Sequence, residues 1–568
     1  MLKGIAASSG ITIAKAYKLE TPEVTIEKKT GCDPAAEFAR FKNALKKCKE
    51  DITKIKNAAV GRLSDEELAI FDAHLMVAED PAMESEVQNM CENEKVNCDY
   101  ALDQVAGNYI SMFESLDDEY MRERAADIRD VTRRIKYHIL GIDIADLSLI
   151  NEESIVVAHD LTPSDTAQLN KKYTKGFATE VGGRTSHSAI MARSLEIPAV
   201  VGIEHVMSEV KHGDLLILDA IKGELLVNPD EATVAEYQKK ADAYREEVEA
   251  LKVLKDAKSC TTDGHEVLLV ANIGTPNDVD GVIANGGEGV GLYRTEFLYM
   301  NAQALPTEEE QFVAYKKVLE AMNPKPVVVR TLDIGGDKKL PYLPIDPEMN
   351  PFLGYRAIRL CLDRKDIFRT QLRALIRASA YGKLEIMFPM IATLGEFREA
   401  KKVFEEEKAK LVAEGVKIGD DIEVGMMVEI PAAAVLADQF AKEADFFSIG
   451  TNDLIQYSMA ADRMSEKVAY LYQPFNPSIL KLIKMTIDGA HKEGKWCGMC
   501  GEMAGEPDAI SVLMGLGLDE FSMSATSILK ARKVANSVSY EDMKKLADKA
   551  IQCCTAEEVL DLIHATVK

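Results

Sequence analysis

The segment Gly182-Gly183-Arg184-Thr185-Ser186-His187-Ser188-Ala189-Ile190-Met191-Ala192-Arg193 puts one of the chain's nine histidines just after a glycine turn, where the periodicity becomes helical. Backbone N–H groups at a helix start hold phosphoryl oxygens without any cationic side chain. A neutral imidazole is a competent nucleophile near pH 7, and its phosphoramidate keeps a phosphoryl group transferable. The residues alone leave two readings of His187 open: a phosphoryl-accepting nucleophile, or an ordinary structural histidine.

A second constellation lies further along. Asn272, Arg294, Arg330, Glu429, Asn452-Asp453 and Cys500 fall at or just after the ends of short apolar runs, with Arg356 and Arg463 in or near the same loops. Several guanidinium groups together suit a small, highly charged anion, because arginine matches phosphate and carboxylate bidentately. Glu429 and Asp453 offer oxygen ligands which, with substrate oxygens and water, fit Mg²⁺ or Mn²⁺ better than zinc. No His and Cys ligands occur at zinc spacing. Cys500, in Cys497-Gly498-Met499-Cys500, is open to redox, structural and metal readings. Beside arginines and carboxylates, a general acid is the favoured one. A nucleotide donor is disfavoured: no G-x-x-x-x-G-K-[ST] loop is present, and Asp333–Lys338 does not match it. Gly286-Gly287-Glu288-Gly289-Val290-Gly291 lacks G-x-G-x-x-G spacing and reads as a tight barrel loop.

These residues need elements to position them. From about Ser259 the chain offers eight short apolar runs, most separated by helical stretches: Val267–Val270, Gly289–Leu292, Val327–Val329, Leu384–Phe388, Val424–Val428, Phe446–Ile449, Trp496–Met499 and Glu520–Met523. That alternation predicts a (β/α)8 TIM-type barrel, whose active site is assembled at the carboxyl ends of its strands. Before it, Pro34–Ile142 repeats apolar residues at three and four (Phe38, Phe41, Leu45, Cys48, Ile52; Leu68, Phe71, Leu75, Met76) and reads as a helical insert. Short strands at Gly4–Leu19 pair with those of Ser154–Pro229 in a small α/β domain that the insert interrupts. Glu231–Lys258 reads as a long helix or helical linker. The predicted multidomain α/β chain divides into 1–22 with 144–229, 23–143, 230–258 and 259–568.

A net charge of −25 opposes nucleic-acid and anionic-membrane binding. No apolar run approaches a bilayer span, no secretory h-region opens the sequence, and ten scattered cysteines fit a reducing compartment. The expected location is the cytoplasm, without membrane insertion.

On Leu161-Thr162-Pro163-Ser164, Gly182–Arg193, Leu292–Phe297, Arg330–Lys338, Asn350–Arg356, Ser448–Leu454 and Gly498–Glu502, essentially the whole chain resembles Enzyme I of the bacterial phosphoenolpyruvate-dependent sugar phosphotransferase system. The resemblance implies transfer of phosphate from phosphoenolpyruvate to His187 and on to the carrier protein HPr, releasing pyruvate. It implies that Arg294, Arg330, Asn452 and Arg463 bind phosphoenolpyruvate, that Glu429 and Asp453 hold Mg²⁺, and that Cys500 protonates the departing enolpyruvate. Arg356 and Asp453 join the expected substrate-binding set. It also implies a homodimer through the barrel and HPr docking on the helical domain, around Ala69–His74. The acids Asp65, Glu66, Glu67, Glu79, Asp80, Glu84 and Glu86 there could steer a basic carrier. Pyruvate phosphate dikinase and phosphoenolpyruvate synthase resemble the chain at the histidine and barrel but need a nucleotide-binding domain that the helical insert does not supply; an inactive phosphorelay scaffold leaves the intact residue set unexplained. Cys497 departs from the pattern expected of the family, and a reversible Cys497–Cys500 disulfide is a further expectation.

Overall fold

A computed structural model describes residues 1–568 apart from 20–25, 60–64, 115–118, 143–146, 148–149, 163–164, 167, 171, 184–186, 195–196, 301, 337, 339, 464 and 568. Within helices, the side chains of 58–59, 65–69, 114, 119–124, 126, 187, 190, 193–194 and 466 are also outside the description. The chain forms two compact units, Met1–Glu247 and Val248–Lys568.

In the first unit, β1 (Leu2–Lys3), β2 (Ile5–Ser8) and β3 (Ile11–Lys18) join β4 (Ser154–Ala158), β5 (Thr174–Thr179), β6 (Ala199–Val201), β7 (Leu215–Asp219) and β8 (Glu224–Val227). The sheet order is β1-β8-β7-β3-β4-β5-β6-β2, parallel from β3 to β6 and antiparallel elsewhere. β4 is buried along its whole length, which is why its sequence is a continuous apolar run and not an alternating one.

Between β3 and β4 the described residues form the α-helices Pro34–Ala59, Asp65–Ala78, Pro81–Glu94, Cys98–Glu114 and Glu119–Leu140. Phe41, Cys48 and Ile52 form the predicted inner stripe. Met76 does not: it is 73% exposed. The buried stripe of its helix is Phe71, His74 and Ala78, and Met76 lies on the opposite side at 100° per residue.

The helix His187–Ser194 lies against both layers. Ala189 and Ala192, three residues apart, join the core of the sheet, while Met191 on the other side enters the core of the helical insert.

The second unit is a closed parallel barrel of β9 (Leu268–Ile273), β10 (Val290–Arg294), β11 (Pro326–Arg330), β12 (Lys383–Phe388), β13 (Glu423–Val428), β14 (Phe446–Ile449), β15 (Trp496–Met499) and β16 (Glu520–Met523). Leu292, Val328, Met387, Met427, Phe446 and Cys500 cluster inside it. At the amino-terminal end the lumen also holds the buried Glu385 and Glu520, with Trp496 stacked on Phe446 at 4.5 Å. Among the described residues no helix is long and apolar enough to cross a membrane.

Candidate active site

Barrel geometry explains why the site residues stand where they do. Arg294 and Arg330 are the last residues of β10 and β11, Glu429 follows β13, and Cys500 follows β15. Asn452 and Asp453 occupy the first turn of the helix Thr451–Met459 after β14. Asn272 corrects the sequence expectation. It is the penultimate residue of β9, drawn into the ladder opposite Leu292, and its amide donates to the Cys500 carbonyl at 3.1 Å.

A buried network of charges holds two of the arginines. Arg330 Nη2 lies 2.5 Å from Glu296 and 3.1 Å from Asp333. Lys338 Nζ bridges the same two carboxylates at 2.8 and 3.1 Å, and Arg356 Nη2 meets the other Asp333 oxygen at 2.9 Å. Against the burial that would raise it, Arg330, Lys338 and Arg356 hold the Asp333 carboxyl well below its ordinary range. Arg356 also donates to the Tyr457 hydroxyl at 3.3 Å, which in turn donates to the Phe352 carbonyl at 2.6 Å. Pinning guanidinium groups in this way orients their remaining N–H groups without help from substrate.

Arg294 is different. Among the described residues it has no ion pair, and burial, then the neighbouring charge of Arg330, pull its pKa down. Two adjacent guanidinium groups, one unpaired, call for an anion.

Opposite them stand the carboxylates. Glu429, 1% exposed, accepts from the Met390 N–H at 2.6 Å, and Met390 takes a positive φ of 56° to deliver it. Burial, then the negative charges of Asp453 and Asp333, push the Glu429 carboxyl up to about 8. The Asp453 Oδ1 is buried without a hydrogen bond, 3.9 Å from Arg356. A Cβ at Gly450 would sit 3.1 Å from Glu429 Oε2, so the glycine lets the backbone pass close beside that carboxyl. A buried Glu429 carboxyl raised by its acidic neighbours, beside the orphaned Asp453 oxygen, fits a divalent cation.

Cys500 is 3% exposed and its thiol is pushed up to about 11, chiefly by burial, so it carries its proton at neutral pH. Asn452 accepts from the Tyr472 hydroxyl and the Glu502 N–H, both at 3.2 Å. Among the described residues Arg463 has no ion pair with that network; its backbone N–H donates to Gln456 at 3.1 Å.

The Cys497–Cys500 disulfide is overturned. Cys497 packs in the core outside the barrel strands, whereas Cys500 belongs to the cluster inside them. A separation of three on a strand places side chains on opposite faces, and both thiols are free.

The side chain of His187 and residues 184–186 lie outside the described residues, as do Pro163 and Ser164 and the side chains of Asp65, Glu66 and Glu67. On the helical insert His74 is fully buried, 3.1 Å from Asp127. Glu79 and Glu84 pair with Lys49 and Lys42 at 3.5 and 2.7 Å, and Asp80 caps the helix Pro81–Glu94. Their acidity is therefore partly spent locally. Residues missed from sequence are Glu296, Asp333, Lys338, Tyr457 and Met390; Glu296 two after Arg294 and Asp333 three after Arg330 were the available signal.

Arginines facing a pair of buried carboxylates at a barrel mouth suit an anionic substrate, and comparison with known proteins gives the class, the phosphoenolpyruvate-utilising enzymes. Residues 248–540 match the PEP-binding domain of PEP-utilising enzymes, 3–124 their N-terminal domain and 150–223 their mobile domain. A phosphoenolpyruvate-protein phosphotransferase of Staphylococcus carnosus (strain TM300) is 60% identical over 567 residues, covering 100% of this chain and 99% of its own. One from Geobacillus stearothermophilus is 61% identical over 566 residues, covering 100% and 98%. A solution structure titled Enzyme I (nEIt) aligns with 43% of the chain and 100% of its own at 49% identity, TM-score 0.40. The chain belongs to the phosphoenolpyruvate-protein phosphotransferase family.

Proposed function

We propose that phosphoenolpyruvate binds at the barrel mouth, that His187 takes its phosphoryl group, and that an HPr-type carrier docked on the helical insert receives it. The observation that carries this reading is the unpaired Arg294 beside Arg330, facing the buried Glu429 and Asp453. Arg294, Arg330 and Arg356 clamp the phosphoryl and carboxylate oxygens, and Asn452 and Arg463 complete the substrate contacts. Preset guanidinium groups stabilise a loose phosphoryl-transfer transition state, since little reorganisation remains to be done. Glu429 and Asp453 hold Mg²⁺, or Mn²⁺. Bound there, the ion neutralises charge on the substrate oxygens. The imidazole attacks phosphorus in line, the bond to the enol oxygen breaks, and the Cys500 thiol delivers its proton to C3 of enolpyruvate, which leaves as pyruvate. The histidine domain then moves to present phosphohistidine to the carrier, with Glu231–Lys258 as the hinge region. The barrel unit pairs two copies of the chain.

Incubation with ³²P-phosphoenolpyruvate and Mg²⁺ tests the proposal. Acid-labile, base-stable label should appear on wild type, vanish in His187→Ala, and be abolished by a chelator or by Glu429→Gln. Labelling that survives His187→Ala would end it.

A further inference from the structure

The glycine loop Gly286–Gly289 precedes β10, at the opposite end of that strand from Arg294, and its surroundings show a use of their own. Arg532, on the helix Ile528–Ser537, is 1% exposed. Its Nη1 donates to the carbonyls of Leu254 and Lys255 at 3.0 and 2.8 Å, its Nη2 to that of Gly286 at 2.7 Å, and its Nε to the Ser259 hydroxyl at 3.0 Å. That hydroxyl donates to Glu288 at 2.7 Å, and the same Glu288 oxygen accepts from the N–H of Leu269 in β9 at 2.9 Å. One turn on, Asn536 donates to the Lys258 carbonyl at 3.0 Å and accepts from the Cys260 N–H at 3.1 Å. Gly286, at φ +68°, makes the fit possible: a Cβ there would stand 2.2 Å from the Lys255 carbonyl oxygen.

The acceptors identify what is being held. Arg532 also pairs with Glu288 at 3.7 Å, and three of the four groups to which it donates hydrogen bonds belong to 254–259, the stretch directly after the helix Glu231–Lys252 in the chain that leads back to His187. A guanidinium is a rigid planar fork with five donors, and burying one without a full set of acceptors is strongly unfavourable. Here it clamps an otherwise irregular backbone segment onto the barrel. We propose that Arg532, with Gly286 and Asn536, is the fixed end of the interdomain hinge and a positioning element for the phosphoenolpyruvate-to-His187 step. The inference rests on the reading that His187 visits the barrel mouth. A mobile unit swings about the last point at which its tether is held, so loosening that point misplaces the imidazole without touching either binding site.

The test uses the full chain carrying Arg532→Met, Arg532→Lys or Gly286→Ala, with His187→Ala as a separate arm. Lysine keeps the charge but cannot reach four acceptors in fixed directions. The single-turnover rate of labelling from ³²P-phosphoenolpyruvate should fall at least about tenfold in each variant. Calorimetric binding of phosphoenolpyruvate with Mg²⁺, and back-labelling of the enzyme by a histidine-phosphorylated carrier protein, should stay near wild type. Trypsin cleavage between 252 and 260 should quicken. An unchanged forward rate, a parallel loss of phosphoenolpyruvate binding, or failure of all three variants to fold would overturn the proposal, the last by making the pocket barrel core. Persistent labelling of His187→Ala would instead sink the underlying reading.

Discussion

Asp333→Asn isolates the network that presets the arginines. The wild-type carboxylate touches Arg330, Lys338 and Arg356 at 3.1, 3.1 and 2.9 Å, all three side chains being mostly or wholly buried. With Glu296 it opposes three cations with two anions; the amide leaves one. Breaking a buried pair costs about 3–5 kcal/mol, and because asparagine keeps one acceptor for Arg356 the lower end, ~3 kcal/mol, applies. That corresponds to roughly 5–10 °C of barrel melting temperature. Trp496 is the chain's one tryptophan and stacks on Phe446 inside the barrel, so its fluorescence reports that melt. Charge alone would predict tighter binding of an anionic substrate in the variant. Loss of preset geometry predicts the reverse, with the labelling rate down about 100-fold, the effect of a ~1 Å misplacement. A variant that melts within ~1 kcal/mol of wild type and labels at a near-normal rate would refute the idea that Asp333 sets the arginines.

Three further outcomes are expected. Cys500→Ser should lower pyruvate formation at least ~100-fold, the scale of a lost general acid, while back-labelling by a phosphorylated carrier stays normal; equal loss in both assays would contradict the assigned role. Burial raises the Glu385 carboxyl from its ordinary 4.5 to about 7. Its contribution to stability is therefore complete below the ordinary value and lost as pH climbs through the folded one. Glu385→Gln should match wild type in urea unfolding at about pH 5 and exceed it at about pH 8.5 by up to ~3 kcal/mol; a variant weaker at the higher pH would reverse that sign. Finally, thiol mapping by mass spectrometry after oxidation with diamide should find no Cys497–Cys500 crosslink, since the two face opposite sides of β15.

Much of the barrel could be read from local pattern. The last three strands, Phe446–Ile449, Trp496–Met499 and Glu520–Met523, match the apolar runs residue for residue, because each is short, buried and sharply bounded. Arg330, Glu429 and Cys500 were legible as polar residues at strand–loop junctions, which only the barrel mouth makes meaningful. What escaped acts across long sequence separations. Lys338 reaches Glu296 over 42 residues and Arg356 reaches Tyr457 over 101, and no local periodicity encodes such meetings. Met390 owes its role to a backbone angle that its side chain does not announce. The cysteine pair was misread because C-x-x-C spacing joins residues across a helical turn but separates them on a strand. The acidic helical insert looked like a steering surface, yet Lys42 and Lys49 from another helix already neutralise Glu84 and Glu79.

Met191 serves the helix His187–Ser194 as a kind of dowel. Lodged in the core of the helical insert while Ala189 and Ala192 grip the sheet, it ties the two layers of the first unit together. Exposing one methionine side chain costs about 1.5–3 kcal/mol, so that much opposes any parting of the two layers at this point. A polar residue in its place should loosen the helix from the insert while leaving its grip on the sheet.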